Sequence, residues 1–301
     1  MDVGSWVVLG LLGLVWGSSY LFIKIGVGEV PPAWVVAGRL LAGTLFLSAI
    51  LRWRKESLPP RRLWPALAAT TFFNSAFPFL LIAWGEQWVS SGLASILNAT
   101  TPLFSVVIAS SAGDEHLSWQ KVAGIVIGFV GVIVLIGASL REVTQSTLGE
   151  LAIVAASACY AVGALFARRW LKGSRPVPLA TGQMMLGFLM VVPLVFLPAN
   201  RLVVTPSAVA VASIAALGLL GSGLAYVLYY RLISTVGATR TLLVTYIIPV
   251  TAILWGWLLL DETLSLRTFL GLGLIISGIL LVNREHPAGR APVAVKRVVA
   301  D

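Results

Sequence analysis

Apolar residues run through this chain in ten blocks separated by short polar gaps. The blocks cover residues 6–27, 33–51, 63–84, 92–111, 118–138, 149–167, 177–197, 207–233, 237–260 and 266–282. Each is close to the roughly 20 residues that an α-helix needs to cross the hydrocarbon core of a bilayer. Gly and Pro interrupt several blocks, which membrane helices tolerate because neighbouring groups take up the freed backbone partners. The pattern predicts an all-α integral membrane protein with ten transmembrane helices. The first block is expected to remain in place as a span, since residues 1–5 carry no positive charge and the block is too long for a signal core.

The blocks fall into two related sets of five. A shift of 147 positions brings Pro102 onto Pro249, Asp114-Glu115 onto Asp261-Glu262, Leu117-Ser118 onto Leu264-Ser265, Gly124 onto Gly271 and Gly131 onto Gly278. A shift of 144 brings Trp16 onto Tyr160, Leu21-Phe22 onto Leu165-Phe166, Lys24 onto Arg168, Pro32 onto Pro176, Gly38 onto Gly182 and Gly43 onto Gly187. The expected organisation is therefore one five-helix repeat over 6–138, a second over 149–283, and a disordered cytoplasmic tail over 284–301. An odd number of helices per repeat makes the second enter the membrane from the opposite side. Such inverted halves have two related packings, one open to each face, with a substrate site near the midplane between them.

Composition sharpens this. Apolar residues make up 58% of the chain and charged residues 11%, against about 25% charged in a soluble domain. The net charge of +9 could suggest nucleic acid, but the basic residues sit in short loops. With the N-terminus in the cytoplasm, 16 of the 21 Lys and Arg fall on the cytoplasmic side and 3 on the other, with Lys24 and Arg39 inside spans. That bias places both termini in the cytoplasm. The single Cys159 excludes an intrachain disulfide.

Candidate site residues are the polar, bent and aromatic positions inside the spans. A mid-helix proline frees the carbonyl four residues back, so Pro78 frees that of Asn74, Pro102 that of Asn98 and Pro249 that of Thr245. Each is a polar residue in an apolar span, which suits a binding or hinge position; the alternative is a packing kink. Pro102 and Pro249 are the expected hinges. Trp16 and Tyr160 lie deep in matching spans and suit ring stacking on a substrate, with Ser18, Phe77, Pro78 and Tyr246 nearby in the same set.

Charge inside the membrane is costly and points to function, and here it is sparse. No Asp or Glu lies mid-span, which disfavours a proton relay through carboxylates and an antiporter for cationic drugs. Lys24 and Arg168 are expected to snorkel to the interfaces, with a substrate carboxylate as the rival partner. Arg39 is deeper, and Glu86, helix carbonyls or an anion could each be its partner. The paired acids at 114–115 and 261–262 are read as caps of the helices starting at Ser118 and Ser265. Gly124-x3-Gly128 forms a small-residue packing face, matched in the other half by Gly271 and Gly278.

The run Trp16-Gly17-Ser18-Ser19 with Phe22-Ile23-Lys24, then Arg39, then Ser91-Gly92-Leu93-Ala94 through Pro102 to Asp114-Glu115, resembles the EamA-type carriers of the drug/metabolite transporter superfamily. Within that family the YddG-like exporters of aromatic amino acids are the suspected type. The likeness covers roughly residues 6 to 283, and Pro249 with Asp261-Glu262-Thr263-Leu264-Ser265 repeats it. It implies a ten-helix exporter of small metabolites, often amino acids, in a bacterial inner membrane. No metalloprotease, nucleophile-elbow, P-loop or paired-cysteine motif occurs. The chain is therefore read as having no catalytic residues, metal or cofactor, and no ATP-binding domain. The expected partners are a small-molecule substrate and the lipid bilayer, without nucleic acid, in a monomer or weak dimer. The first, third and fourth spans and their repeat partners should wall the cavity. Uptake, another metabolite class, or a non-transporting scaffold remain the rival readings, the last disfavoured by the duplicated halves.

Overall fold

The structure, a computed structural model, describes residues 1–137, 143–263 and 265–283; the expectations for the tail at 284–301 lie outside them. Ten membrane helices follow in order among the described residues: α1 Val3–Val27, α2 Pro32–Trp53, α3 Arg61–Gly85, α4 Ser91–Ser111, α5 Trp119–Ile136, α6 Gln145–Trp170, α7 Pro176–Val195, α8 Ala208–Val236, α9 Val244–Leu260 and α10 Leu266–Val282. The first eight are long and apolar enough to cross a membrane, and α9 and α10 are shorter apolar helices. Local chemistry sets where they begin. Asp2, Ser90, Ser118, Thr144, Ser207 and Ser265 each accept a backbone N–H from the first turn that follows. Pro32 and Pro176 open α2 and α7, where a missing N–H costs nothing.

Helix packing repeats across the two halves. α1 lies against α8 and α9 as α6 lies against α3 and α4, while α2 packs on α7 and α5 on α10. Each first-half helix thus meets its partners in the second half by one rule, as two inverted repeats require. The α5–α10 contact is glycine-lined. A Cβ on Gly124 would come within 2.6 Å of the Gly278 carbonyl oxygen, and one on Gly278 within 2.5 Å of the Gly124 carbonyl oxygen. The backbones touch directly, as small-x3-small faces allow. On the outside of this pair Val126, Ile133, Phe269, Leu270 and Leu280 are exposed, as side chains facing hydrocarbon are.

Four irregular stretches distinguish the inner helices, and they too are paired. α3 passes through a π-helical segment at Phe72–Ala76 and α8 through one at Leu217–Leu224. α4 breaks between Asn98 and Thr101, and α9 is separated by a turn from the short helix Ala238–Thr241. The expected proline kinks take different forms in consequence. Pro78 sits at the start of the α-helical part of α3, just after the π segment, where the Phe77 N–H reaches back five residues to the Phe72 carbonyl. Pro102 is at the start of the second half of α4, not in mid-helix. The Asn98 carbonyl accepts instead from Thr101 Oγ1 at 2.8 Å and Ser157 Oγ at 3.2 Å. Of these three prolines Pro249 alone stays inside a continuous helix.

Candidate functional site

A cavity of about 570 Å³ lies between the two halves. α1, α3, α4, α6, α8 and α9 contribute to its wall, and so do α2 through Arg39 and α7 through Leu179 and Gln183. These two helices were not among the spans expected to wall it. They occupy matching places: the Gly38-Arg39 pair in α2 corresponds to Gly182-Gln183 in α7 on the shift of 144. Arg39 Nε donates to Ser222 Oγ at 2.8 Å, and Gln183 Nε2 donates to Ser75 Oγ at 2.6 Å. Both serines belong to the π segments. A π turn adds one residue to the helix circumference, which turns neighbouring side chains to a new bearing. Here it presents a hydroxyl from each half to the long polar side chain of the opposite one.

Arg39 is the site's charge. Its residue is 8% exposed, and its guanidinium carbon lies 3.7 Å from the centre of the Phe79 ring, within cation–π range. It makes no ion pair among the described residues, with Glu86 or any other acid. Glu86 is wholly buried and not part of the cavity lining, and neither of its carboxyl oxygens is hydrogen-bonded among the described residues. Among the described residues no Asp or Glu lines the cavity. The remainder of the wall is aromatic and amide. Trp16 Nε1 donates to the Gly221 carbonyl at 3.2 Å, and its ring centre is 5.4 Å from that of Tyr229. Asn98 Nδ2 donates to Tyr20 Oη at 2.7 Å, and Asn98 Oδ1 accepts from Ser157 Oγ at 3.2 Å.

Of the residues singled out in the sequence, Trp16, Arg39, Asn74, Asn98, Pro102, Tyr160, Thr245 and Pro249 line this cavity. Ser18 does not; its hydroxyl donates to the Val15 carbonyl of its own helix. Phe77 stacks on Phe72 outside the cavity, Pro78 is buried in α3, and Tyr246 accepts a hydrogen bond from Asn283 at 3.0 Å. Lys24 Nζ donates to the Glu86 and Val89 carbonyls at 2.6 and 2.9 Å, closing the end of α3. Arg168 is exposed, 2.6 Å from Asp114 Oδ2. Tyr20, Gln183, Tyr226, Tyr229 and Tyr230 also line the cavity and were not among the expected site residues. Gln183 carried a signal in its repeat partnership with Arg39, and the tyrosines of α8 carried none beyond their residue type.

The cavity is open at one end. Call the face where α1 begins the near face and the face where it ends the far face. Towards the near face Ala164 and Leu242 are exposed, whereas towards the far face Ile23, Ile82 and Ser95 are buried. Cross-half contacts seal the far face. Glu29 accepts from the Ser207 N–H and hydroxyl at the start of α8, at 2.7 and 2.6 Å. Glu262 accepts from the N–H groups of Ser91 and Gly92 at the start of α4, at 2.7 and 3.1 Å. An anion at a helix N-terminus is favoured by the free N–H groups and the helix dipole. Glu262 thus caps α4, not the helix beginning at Ser265 that its sequence position suggested.

These contacts carry a pH signature. Hydrogen bonds from Ser207 hold the Glu29 carboxyl below its ordinary range, and the guanidinium of Arg169, then that of Arg168, does the same for Asp114. A depressed carboxylate contributes stability that is fully present above its unfolded pKa and is lost as pH falls through its folded value. The gap in melting temperature between wild type and Glu29→Gln should therefore be constant near neutrality and shrink below about pH 4. A gap that widens on acidification would refute the assignment.

The EamA-like transporter family model matches residues 4–137 and again 147–284. The uncharacterized inner membrane transporter YedA of Escherichia coli K12 is 31% identical over 96% of this chain and 94% of its own. The uncharacterized transporter YoaV of Bacillus subtilis is 28% identical over 91% and 96%. A probable terminal-alkyne amino-acid exporter of Streptantibioticus cattleyicolor is 25% identical over 92% of each chain. A solved crystal structure shares the fold, with a TM-score of 0.65 at 20% identity over 94% of this chain and 98% of that one.

Proposed function

The chain belongs to the EamA-like transporter family, and from that premise we propose that it exports small zwitterionic metabolites, most of all amino acids including aromatic ones, by alternating access. The protein is a membrane transporter of multi-pass architecture. The observation that carries the substrate reading is the cavity itself: one unpaired guanidinium set among tryptophan and tyrosine rings between the two halves. A guanidinium presents paired donors that match a carboxylate, and aromatic walls suit an apolar side chain. The amino-acid exporter of Streptantibioticus cattleyicolor among its relatives and the suspected likeness to YddG-like exporters agree with this.

The excess of basic residues on the near face supports a cytoplasmic position for that face and both termini, in a bacterial inner membrane. The open end of the cavity would then load from inside and release outside once the far-face contacts part. Transport needs no catalytic residue, metal or cofactor of its own, and a monomer or weak dimer suffices.

The test is counterflow of labelled phenylalanine into proteoliposomes holding the purified protein, with and without a pH gradient. Flux above empty vesicles, competed by tryptophan but not by sugars or cationic dyes, is the expected result; no flux for any amino acid would sink the substrate assignment. Trp16→Ala, which removes a ring from the wall, should lower that flux at least about tenfold at equal expression. Unchanged flux would take Trp16 out of the site.

A further inference from the structure

The cavity has a charged partner for a substrate's negative charge and, among the described residues, none for a positive one. Arg39 is anchored from behind by Ser222 and from one side by the Phe79 ring, and its two terminal nitrogens make no hydrogen bond among the described residues. A planar fork held in this way is set to receive a carboxylate through paired N–H donors. No opposite charge balances an ammonium: among the described residues no carboxylate lines the cavity, and the repeat counterpart of Arg39 is the neutral Gln183. Asn98 has its amide nitrogen on Tyr20 and its oxygen on Ser157, so an ammonium would meet neutral groups alone: the amides of Asn74 and Gln183, the wall's hydroxyls and the aromatic ring faces. The ammonium of a zwitterion would give up water to enter such a wall without a counter-charge, at a net cost.

The geometry points to a site that reads a carboxylate and an aromatic body but not an α-amine, so that aryl monocarboxylates bind it more tightly than the amino acids of the same side chain. This rests on the reading of the cavity as the substrate site, and the substrate class it names is net anionic.

The experiment is calorimetric binding to the purified full-length protein in detergent, because aryl acids cross bilayers unaided in their neutral form and would blur a flux measurement. The ligands are 3-phenylpropanoate, L-phenylalanine, L-phenylalanine amide and phenethylamine. The expected order places 3-phenylpropanoate at least about tenfold tighter than phenylalanine, with the two cationic compounds silent. Arg39→Gln should weaken 3-phenylpropanoate about 10- to 100-fold, with Arg39→Lys, which keeps charge but loses the fork, in between. If Arg39→Gln does not fold, the ligand order in the wild-type protein decides alone.

Phenylalanine binding tighter than 3-phenylpropanoate, or measurable binding of phenethylamine, overturns the inference and leaves the amino-acid reading standing. Binding of 3-phenylpropanoate without phenylalanine upholds it and removes amino acids as the cargo. Silence of all four overturns both.

Discussion

Gly278→Leu should leave almost no folded protein on extraction into detergent, whereas Gly273→Leu, five positions earlier on the same helix, should behave as wild type. A Cβ at Gly278 would meet the Gly124 carbonyl oxygen at 2.5 Å and the Gly128 nitrogen and Cα at 2.7 and 2.8 Å, while one at Gly273 meets nothing within 4 Å. The obstructing atoms are backbone, so no rotamer change relieves the clash, and α5 and α10 must separate. Even Ala at Gly278 should cost about 1–3 kcal/mol, the range for overpacking a close-packed contact. Leu adds a branched side chain to the same gap. In lipid, where apolar burial does not favour helix–helix over helix–lipid contact, close backbone approach is a main source of association, so little remains to hold the pair. Thermal unfolding followed by a thiol-reactive or tryptophan signal reads the result. Equal melting temperatures for the two leucine variants would show that the crossing is not as close as described.

A covalent link between positions 29 and 207 should stop transport completely and reversibly. Glu29 and Ser207 meet at the far face, joining the α1–α2 loop of one half to the start of α8 in the other. If transport requires the far face to open, a Glu29→Cys/Ser207→Cys pair, bridged by oxidation or a short bifunctional thiol reagent, holds it shut. The chain has one native cysteine, Cys159, so Cys159→Ser supplies a clean background. Counterflow should vanish on cross-linking and return with reductant, while each single-cysteine variant keeps its flux under the same treatment. Full flux through cross-linked protein would refute alternating access at this face. This test is independent of substrate identity, since any transported molecule reports the same block.

The large pattern of this molecule was readable in one dimension. Ten apolar blocks, two sets of five, and the glycines later found at the α5–α10 crossing all follow from residue type and spacing, because a bilayer imposes its thickness on every span and a duplicated half carries its offsets in the chain. The capping serines at 118 and 265 were equally local, since a cap acts within one turn. Other features depended on what faces what. A π turn or a break of two residues leaves the apolarity of a span unchanged, so the π segments at 72–76 and 217–224 and the gap after Asn98 were hidden.

Glu262 looked like a cap for its own neighbour and caps α4 instead, and Lys24, near the end of its own span, closes the end of α3. In both cases the nearest partner in space belongs to another helix, which spacing along one helix cannot show. The same holds for the site. Residue types nominated Trp16, Asn98 and Tyr160, but the bearing of each side chain decided that Ser18, Phe77 and Tyr246 lie outside the cavity and that Arg39 and Gln183 enter it, each held by a serine of the opposite half. Membership in a span is a property of composition. Membership in a cavity is a property of rotation about the helix axis, and only the packing of the two halves sets it.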